Sequence, residues 1–168
     1  MIRLCFHGAE STGKSVLAGQ LGLPWVPEYG RTYCEEHGTD LTMADLLAIA
    51  EGQDAANRAA AASRAPLLLF DTDQLMTAAW AEMLFGQVPE VLLAYPKADL
   101  YLLFDPDVPW VDDGTRFFGT PETRARFAAL AEDMLLRAQV PFRRISGSWN
   151  DREAQVRAVI AELLEQAV

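Results

Sequence analysis

Short apolar runs alternate with longer stretches of helical periodicity along this chain of 168 residues. Ile2–His7 is a mostly apolar run of strand length, Pro24–Pro27 a second and shorter one, and Pro66-Leu67-Leu68-Leu69-Phe70 a third. Leu100–Phe104 and Pro141–Ser146 complete a set of five. Helical patterns fall between them, first at Ser15–Leu21 and then in a long segment from Thr42 to about Ser63, opened by Thr42-Met43-Ala44-Asp45 as a capping box. Others cover Gln74–Phe85 and Pro89–Tyr95. The next takes Thr120 as N-cap and Pro121 in its first turn, and Phe127, Leu130, Ala131, Met134 and Leu135 share one face. The last follows Asn150, with Val156, Val159, Ile160, Leu163 and Leu164 turned inward. Strand and helix in alternation predict an α/β fold with a parallel sheet covered on both faces. The aliphatic stripes are core, and the Ala59–Ala62 run is helix filler. No repeat or low-complexity linker divides the chain, so one domain spanning residues 1–168 is expected, with a lid segment around residues 105–120.

Composition narrows the class. Hydrophobic residues make up 51% and charged residues 23%, which excludes disorder and allows a full core. No stretch is long enough to span a membrane, and the first residues read as a core strand, not a signal peptide. The net charge of −10 repels nucleic-acid phosphates and anionic lipid, so neither nucleic acid nor membrane is an expected partner. Cys5 falls in the first strand and Cys34 in a later polar segment; with no disulfide framework, reduced thiols in a cytoplasm are expected. Lys14 and Lys97 are the lysines among 14 basic residues, so Lys14 stands out where arginine is the habit. A compact ammonium fits where a guanidinium would not.

Lys14 belongs to the most informative segment of the chain. Gly8-Ala9-Glu10-Ser11-Thr12-Gly13-Lys14-Ser15 spells Gly-x-x-x-x-Gly-Lys-Ser, between the first strand and the first helix. This is the phosphate-binding loop of a nucleoside triphosphatase or kinase. Glycine lets the backbone curl its N–H groups toward phosphate oxygens, Lys14 meets the β/γ-phosphates, and the Ser15 hydroxyl serves Mg²⁺. The following helix adds the positive end of its dipole, next to Val16. ATP and Mg²⁺ are therefore the expected cofactors. Zinc is not expected, since His7, His37, Cys5 and Cys34 lack ligand spacing.

Three further clusters fall at strand ends, where ligands bind in parallel sheets. The second strand runs into Pro27-Glu28-Tyr29-Gly30-Arg31, which offers Glu28 as a base and Arg31 as an anion clamp; a glycine turn with a surface ion pair is the plainer reading. The third ends in Phe70-Asp71-Thr72-Asp73. There Asp71 holds a Mg²⁺-bound water and Asp73 meets substrate hydroxyls, or either serves as a helix N-cap. The base is thus Glu28, or one of Asp71 and Asp73. The fourth strand leads into Asp105–Thr120, a loop with the look of a lid, in which Arg116 can stabilise the transferring phosphoryl group. After the fifth strand, Ser146-Gly147-Ser148-Trp149-Asn150 is either one wall of an adenine pocket or a glycine turn with an Asn cap.

Taken together, the Gly-Ala-Glu-Ser-Thr-Gly-Lys-Ser loop, Glu-Tyr-Gly-Arg, Phe-Asp-Thr-Asp and Trp-Val-Asp-Asp-Gly-x-Arg occur in the order found in the ribosylnicotinamide kinase domain of NadR-type proteins. The chain resembles that family over essentially its whole length. The resemblance implies a phosphate-loop fold of the nucleotide-kinase type with strand order 2-3-1-4-5. It also implies ATP-dependent phosphorylation of the 5′-hydroxyl of nicotinamide riboside. Catalytic roles then go to Lys14, Glu28, Asp71 and Arg116, and nucleotide contacts to Gly8, Glu10, Ser11, Thr12, Gly13, Lys14, Ser15, Val16 and Trp149. The nucleoside-like substrate is assigned Glu28, Tyr29, Arg31, Asp73, Trp110 and Asp113, and the metal Ser15 and Asp71. An adenylyltransferase domain often precedes such kinases; with the loop beginning at Gly8, a kinase alone is expected. Aromatic side chains are expected around the nicotinamide ring, yet the chain has Pro27 before Glu28 and an Ala-rich helix around Arg58–Ala62, leaving Trp25 and Tyr29 as substitutes. Another nucleoside or a vitamin alcohol is the alternative acceptor, and a nucleotide-gated switch without a base the alternative function. A GTPase is disfavoured because Pro96-Lys97-Ala98-Asp99 reads as a turn ahead of the fourth strand. A ring-forming motor is disfavoured because the chain is too short for a second helical domain.

Overall fold

The structure, a computed structural model, describes residues 1–166. Five parallel strands form its centre: β1 (Ile2–His7), β2 (Trp25–Val26), β3 (Leu67–Asp71), β4 (Leu100–Phe104) and β5 (Phe142–Ile145). Their order is β2-β3-β1-β4-β5, as the family resemblance implied. β1 lies between β3 and β4, with Phe6 opposite Asp71 and His7 opposite Leu103. The end of β1, where the phosphate loop begins, therefore sits beside the β3 carboxylate.

Seven helices complete three layers: α1 (Lys14–Gln20), α2 (Tyr29–His37), α3 (Met43–Ala61), α4 (Gln74–Phe85), α5 (Glu90–Ala94), α6 (Pro121–Arg137) and α7 (Trp149–Gln166). Alternation along the strands splits the core in two. Leu4, Phe6, Leu69, Leu102 and Phe104 face Leu17 and Ala18 of α1 and Val156, Val159 and Ile160 of α7. Cys5, Leu68, Phe70, Tyr101 and Leu103 face α3, α4 and α6, where Leu46, Ile49, Phe127, Ala131, Met134 and Leu135 are buried. No described helix is long and apolar enough to cross a membrane.

Local chemistry explains most element ends, including those that differ from expectation. Thr42 and Asp45 form the anticipated capping box, and Thr120 caps α6 with Pro121 in its first turn. β2 shrinks to two residues because Pro24 and Pro27 flank it without N–H donors. α7 starts at Trp149, not after Asn150, because the cap is Ser148: its hydroxyl accepts the Asp151 N–H, and the Asp151 carboxylate accepts the Ser148 N–H at 3.0 Å. α2 was not evident in the sequence. It buries only Cys34 and carries Gly30 in its first turn, so no apolar stripe announces it. Cys34 thus lies on a helix, in place of the polar segment expected there.

Candidate active site

The phosphate loop wraps the β1–α1 junction. Gly8 has φ +127°, and a Cβ there would come within 2.6 Å of the Phe104 carbonyl oxygen, so this position requires glycine. Gly13 has φ +85° and lies under the Trp149 ring, again with no room for a side chain. Lys14 is buried, and its ammonium donates to the carbonyls of Gly8 (2.9 Å) and Ala9 (2.7 Å) and to the Thr12 hydroxyl (3.2 Å). Burial lowers its pKa, and the carboxylates of Asp71, Glu28 and Glu10 raise it again. Three acids thus surround one base at the floor of the site.

A cavity of about 350 Å³ opens above this floor, lined by the loop, by Glu28 and Arg31, by Asp73, and by the lid residues Asp113 and Arg116. Glu28 is the N-cap residue of α2, at the end of β2. Burial pushes its carboxyl up to about 7; Asp71 adds to the rise, while Lys14 and Arg31 oppose it. Gln53 of α3 fixes the backbone on both sides of Glu28. Its oxygen accepts the Tyr29 N–H at 2.8 Å, and its amide donates to the Pro27 carbonyl at 3.3 Å. No sequence pattern marked Gln53 for this role.

Asp71 is 1% exposed, and its Oδ1 has no partner. Burial raises its pKa, countered by the Ser15 hydroxyl, Lys14 and Arg31. An orphaned carboxylate oxygen beside a hydroxyl, under the phosphate loop, fits a hard divalent cation with oxygen ligands. Asp73 behaves differently. Its Oδ1 caps α4 through the Leu75 N–H (2.9 Å), and its Oδ2 accepts the Tyr101 hydroxyl (2.5 Å). Both oxygens accept one bond each, so Asp73 serves as the cap of α4 while it also lines the cavity.

The expected lid segment borders the cavity from the other side through Asp113, Thr115, Arg116 and Phe117. Asp113 joins Arg31 (2.6 Å) to Arg116 (3.1 Å). Burial would raise Asp113, but Arg31 and the Thr115 amide and hydroxyl hold it down to about 2. Arg116 also reaches the Ser11 hydroxyl at 3.1 Å. Glu10 also lines the cavity, and its carboxylate accepts the backbone N–H groups of Phe117 and Phe118 at 3.0 Å.

The aromatic wall lies where the sequence did not place it. Tyr29 packs on Gly52 of α3, Trp25 lies near Gly19, and Trp110 stacks on Gly119; none of the three lines the cavity. Tyr29 and Trp110, expected as substrate contacts, thus stand outside the cavity lining. The cavity is walled instead by Trp80, Phe117 and Phe127, with Trp80 edge-on to Phe117 at 4.9 Å and to Phe127 at 5.0 Å. Trp80 lies inside the Gln74–Phe85 helical pattern, and no local pattern shows that Phe117 lies against it.

Trp149 stands across the loop from this cavity. With Gly13, Val16, Phe104 and Arg152 it borders a second cleft of about 410 Å³. Arg152 is 1% exposed and donates to the carbonyls of Thr12, Gly147 and Asp105, which locks the loop to the ends of β4 and β5. The phosphate loop thus separates two concavities, one rimmed by Trp149 and one by Glu28.

Known proteins resemble this chain in sequence and in fold. A family model described as an AAA domain matches residues 3–152. The trifunctional NAD biosynthesis/regulator protein NadR of Escherichia coli (strain K12) is 31% identical, with 82% of this chain and 36% of that protein covered. NadR of Salmonella typhimurium (strain LT2) is also 31% identical, covering 80% of this chain and 36% of its own length. The chain spans about a third of the length of the curated relatives it matches. Among solved structures, a NadR protein in complex with NR superposes with a TM-score of 0.80 at 24% identity, over 95% of this chain and 51% of that one. Thymidylate kinase from Ehrlichia chaffeensis gives 0.69 at 14% identity, over 95% and 98% of the two chains. Deoxyadenosine kinase from M. mycoides gives 0.65 at 12% identity, over 96% and 100%. These superpositions establish the nucleotide-kinase form of the fold. With the family model covering nearly all of its elements, this chain belongs to the AAA-domain family of phosphate-loop proteins, as a relative of NadR.

Proposed function

We propose that this chain is an ATP-dependent kinase that phosphorylates the 5′-hydroxyl of nicotinamide riboside, yielding nicotinamide mononucleotide. The observation that carries this reading is Glu28. It is a carboxyl raised to about 7, partly accessible, on a cavity that begins at the phosphate loop and ends at an aromatic wall. A general base works best with a pKa near the operating pH. The similarity to NadR supports the choice of acceptor, as does the likeness to a NadR structure in complex with NR.

In this reading residues 1–168 act as one kinase domain with a lid at 105–120. ATP takes the loop, with its base toward Trp149. Lys14 exchanges its loop acceptors for β/γ-phosphate oxygens. Ser15 and Asp71 would hold Mg²⁺, which supplies neutralisation of phosphate charge when bound. The 5′-hydroxyl gives its proton to Glu28 as its oxygen bonds to the γ-phosphorus. The bond from that phosphorus to the β,γ-bridging oxygen breaks, and ADP leaves. Arg116 meets the charge on the moving phosphoryl group. Arg31 and Asp113 set the position of the lid. Trp80 and Phe117 face the pyridinium ring, whose positive charge suits an aromatic wall. The free thiols of Cys5 and Cys34 suit a cytoplasmic setting.

The test is ATP consumption with nicotinamide riboside, thymidine, deoxyadenosine or no acceptor. Nicotinamide riboside should raise turnover at least tenfold over the acceptor-free rate. Slow turnover that ignores every nucleoside would mean a nucleotide-gated switch.

A further inference from the structure

We infer that Glu10 is a positioning residue that ties the phosphate loop to the acceptor side of the site, by holding the backbone of Phe117 and Phe118 and so placing Arg116 and the Phe117 ring together. The inference begins with an oddity of the loop. Its phosphate-facing groups are backbone N–H donors and Lys14, so a carboxylate at Glu10 adds nothing to phosphate binding and would repel a triphosphate if it faced one. Glu10 is committed to backbone amides instead. One oxygen accepts the Phe117 N–H at 3.0 Å; the other accepts Phe117 at 3.1 Å and Phe118 at 3.0 Å. Two adjacent amides converging on one carboxylate form a charge-assisted clamp.

The next residue repeats the connection at the other end of the lid. The Ser11 hydroxyl accepts the Val111 N–H at 2.8 Å and Arg116 at 3.1 Å, and the Ser11 carbonyl accepts Arg124 at 3.2 Å. The crest of the loop therefore grips the lid on both sides of Arg116. Phe117, held by Glu10, lies edge-on to Trp80. The residue that neutralises the phosphoryl group and the ring that contacts the acceptor are neighbours in sequence, and Glu10 fixes both through one peptide segment. A change at Glu10 must then disturb the acceptor more than the nucleotide, although Glu10 itself lies in the nucleotide loop.

The effect on turnover rests on the kinase reading above; the anchoring does not, and the experiment separates them. In Glu10→Gln one oxygen remains an acceptor while an NH₂ group meets a backbone donor; Glu10→Ala removes the clamp. Hydrogen exchange at the Phe117 and Phe118 amides is measured in wild type and both variants, with affinity for an ATP analogue and steady-state kinetics for nicotinamide riboside. Loss of one charge-assisted clamp corresponds to about a tenfold effect or more. Amide exchange should accelerate about tenfold, the acceptor KM should rise about tenfold with a lower kcat, and ATP-analogue affinity should stay within about twofold. Unchanged amide exchange in both variants overturns the anchoring. Weaker nucleotide binding with an unchanged acceptor KM overturns it in favour of a direct nucleotide contact. Wild type that phosphorylates no nucleoside would refute the kinase reading, and amide exchange would still decide the anchoring.

Discussion

In the proposed mechanism Lys14 and Glu28 have the roles most open to test, and each should behave distinctively when changed. Lys14 is a buried ammonium among loop oxygens. Lys14→Ala should lower kcat by about 10²–10³, the cost of losing one preorganised charge-stabilising group, while the fold persists because the side chain serves the loop and not the core. Glu28 makes two opposite predictions. As a base it must be deprotonated, and its pKa is raised to about 7 by burial and then by Asp71. Turnover should therefore climb as pH rises through 7 and level off above it. Glu28→Gln should lower kcat by about 10²–10⁴ and abolish that rise, with ATP affinity nearly unchanged. Stability runs the other way. A carboxyl whose folded pKa exceeds its unfolded value stabilises the fold below the unfolded pKa and loses that contribution as pH rises through the folded one. Above pH 7, thermal melts should show Glu28→Gln more stable than wild type. A variant both less active and less stable there would make Glu28 a structural residue.

Elements position these side chains, and α3 has the clearest part. Gln53 bonds the peptide groups flanking Glu28, so Gln53→Leu leaves the Tyr29 N–H and the Pro27 carbonyl without that partner. The expected cost is about 1–3 kcal/mol of stability, or roughly 2–12 °C in Tm for a domain of this size. The kcat should fall more than the ATP affinity, which calorimetric binding would show directly. This part of the site was beyond the reach of sequence. The phosphate loop, Asp71 and Glu28 were legible because each sits at a strand end, and strands here are bare apolar runs with sharp limits. The capping box at Thr42 was legible because its chemistry is local. α2 was not, because only Cys34 among its residues is buried and the helix leans on α3 rather than on a stripe of its own. The aromatic wall was hidden for a related reason. Trp80 and Phe117 are far apart in the chain, and attachments of the 105–120 segment to Glu10, Ser11 and Arg31 help bring them together. Asp73 carried two readings, cap and substrate contact, because a capping Asp and a binding Asp look alike in sequence; the structure shows the cap, on a residue that also lines the cavity.

At the scale of the molecule, the sheet order does the assembling. β1 between β3 and β4 puts the loop beside Asp71, and β2 one strand further out puts Glu28 across the phosphate loop from Trp149. Nucleotide on one side of the loop and acceptor on the other should stabilise the whole domain, since ligand that binds only the folded state adds free energy by mass action. At about 100 times its Kd, ATP with Mg²⁺ should add roughly 2.7 kcal/mol, or about 5–11 °C in Tm, and a chelator should remove most of that gain. The same shift after metal removal would argue against Ser15 and Asp71 as a cation site. The most direct measurement follows the phosphoryl group itself. ATP labelled at the γ-phosphate is incubated with nicotinamide riboside, and the labelled product is identified by mass spectrometry and phosphorus NMR. The expected result is label on the 5′-oxygen of nicotinamide mononucleotide, with wild type forming it about 10²–10⁴ times faster than Glu28→Gln. Label found only in inorganic phosphate, at the same rate with or without the nucleoside, would contradict it.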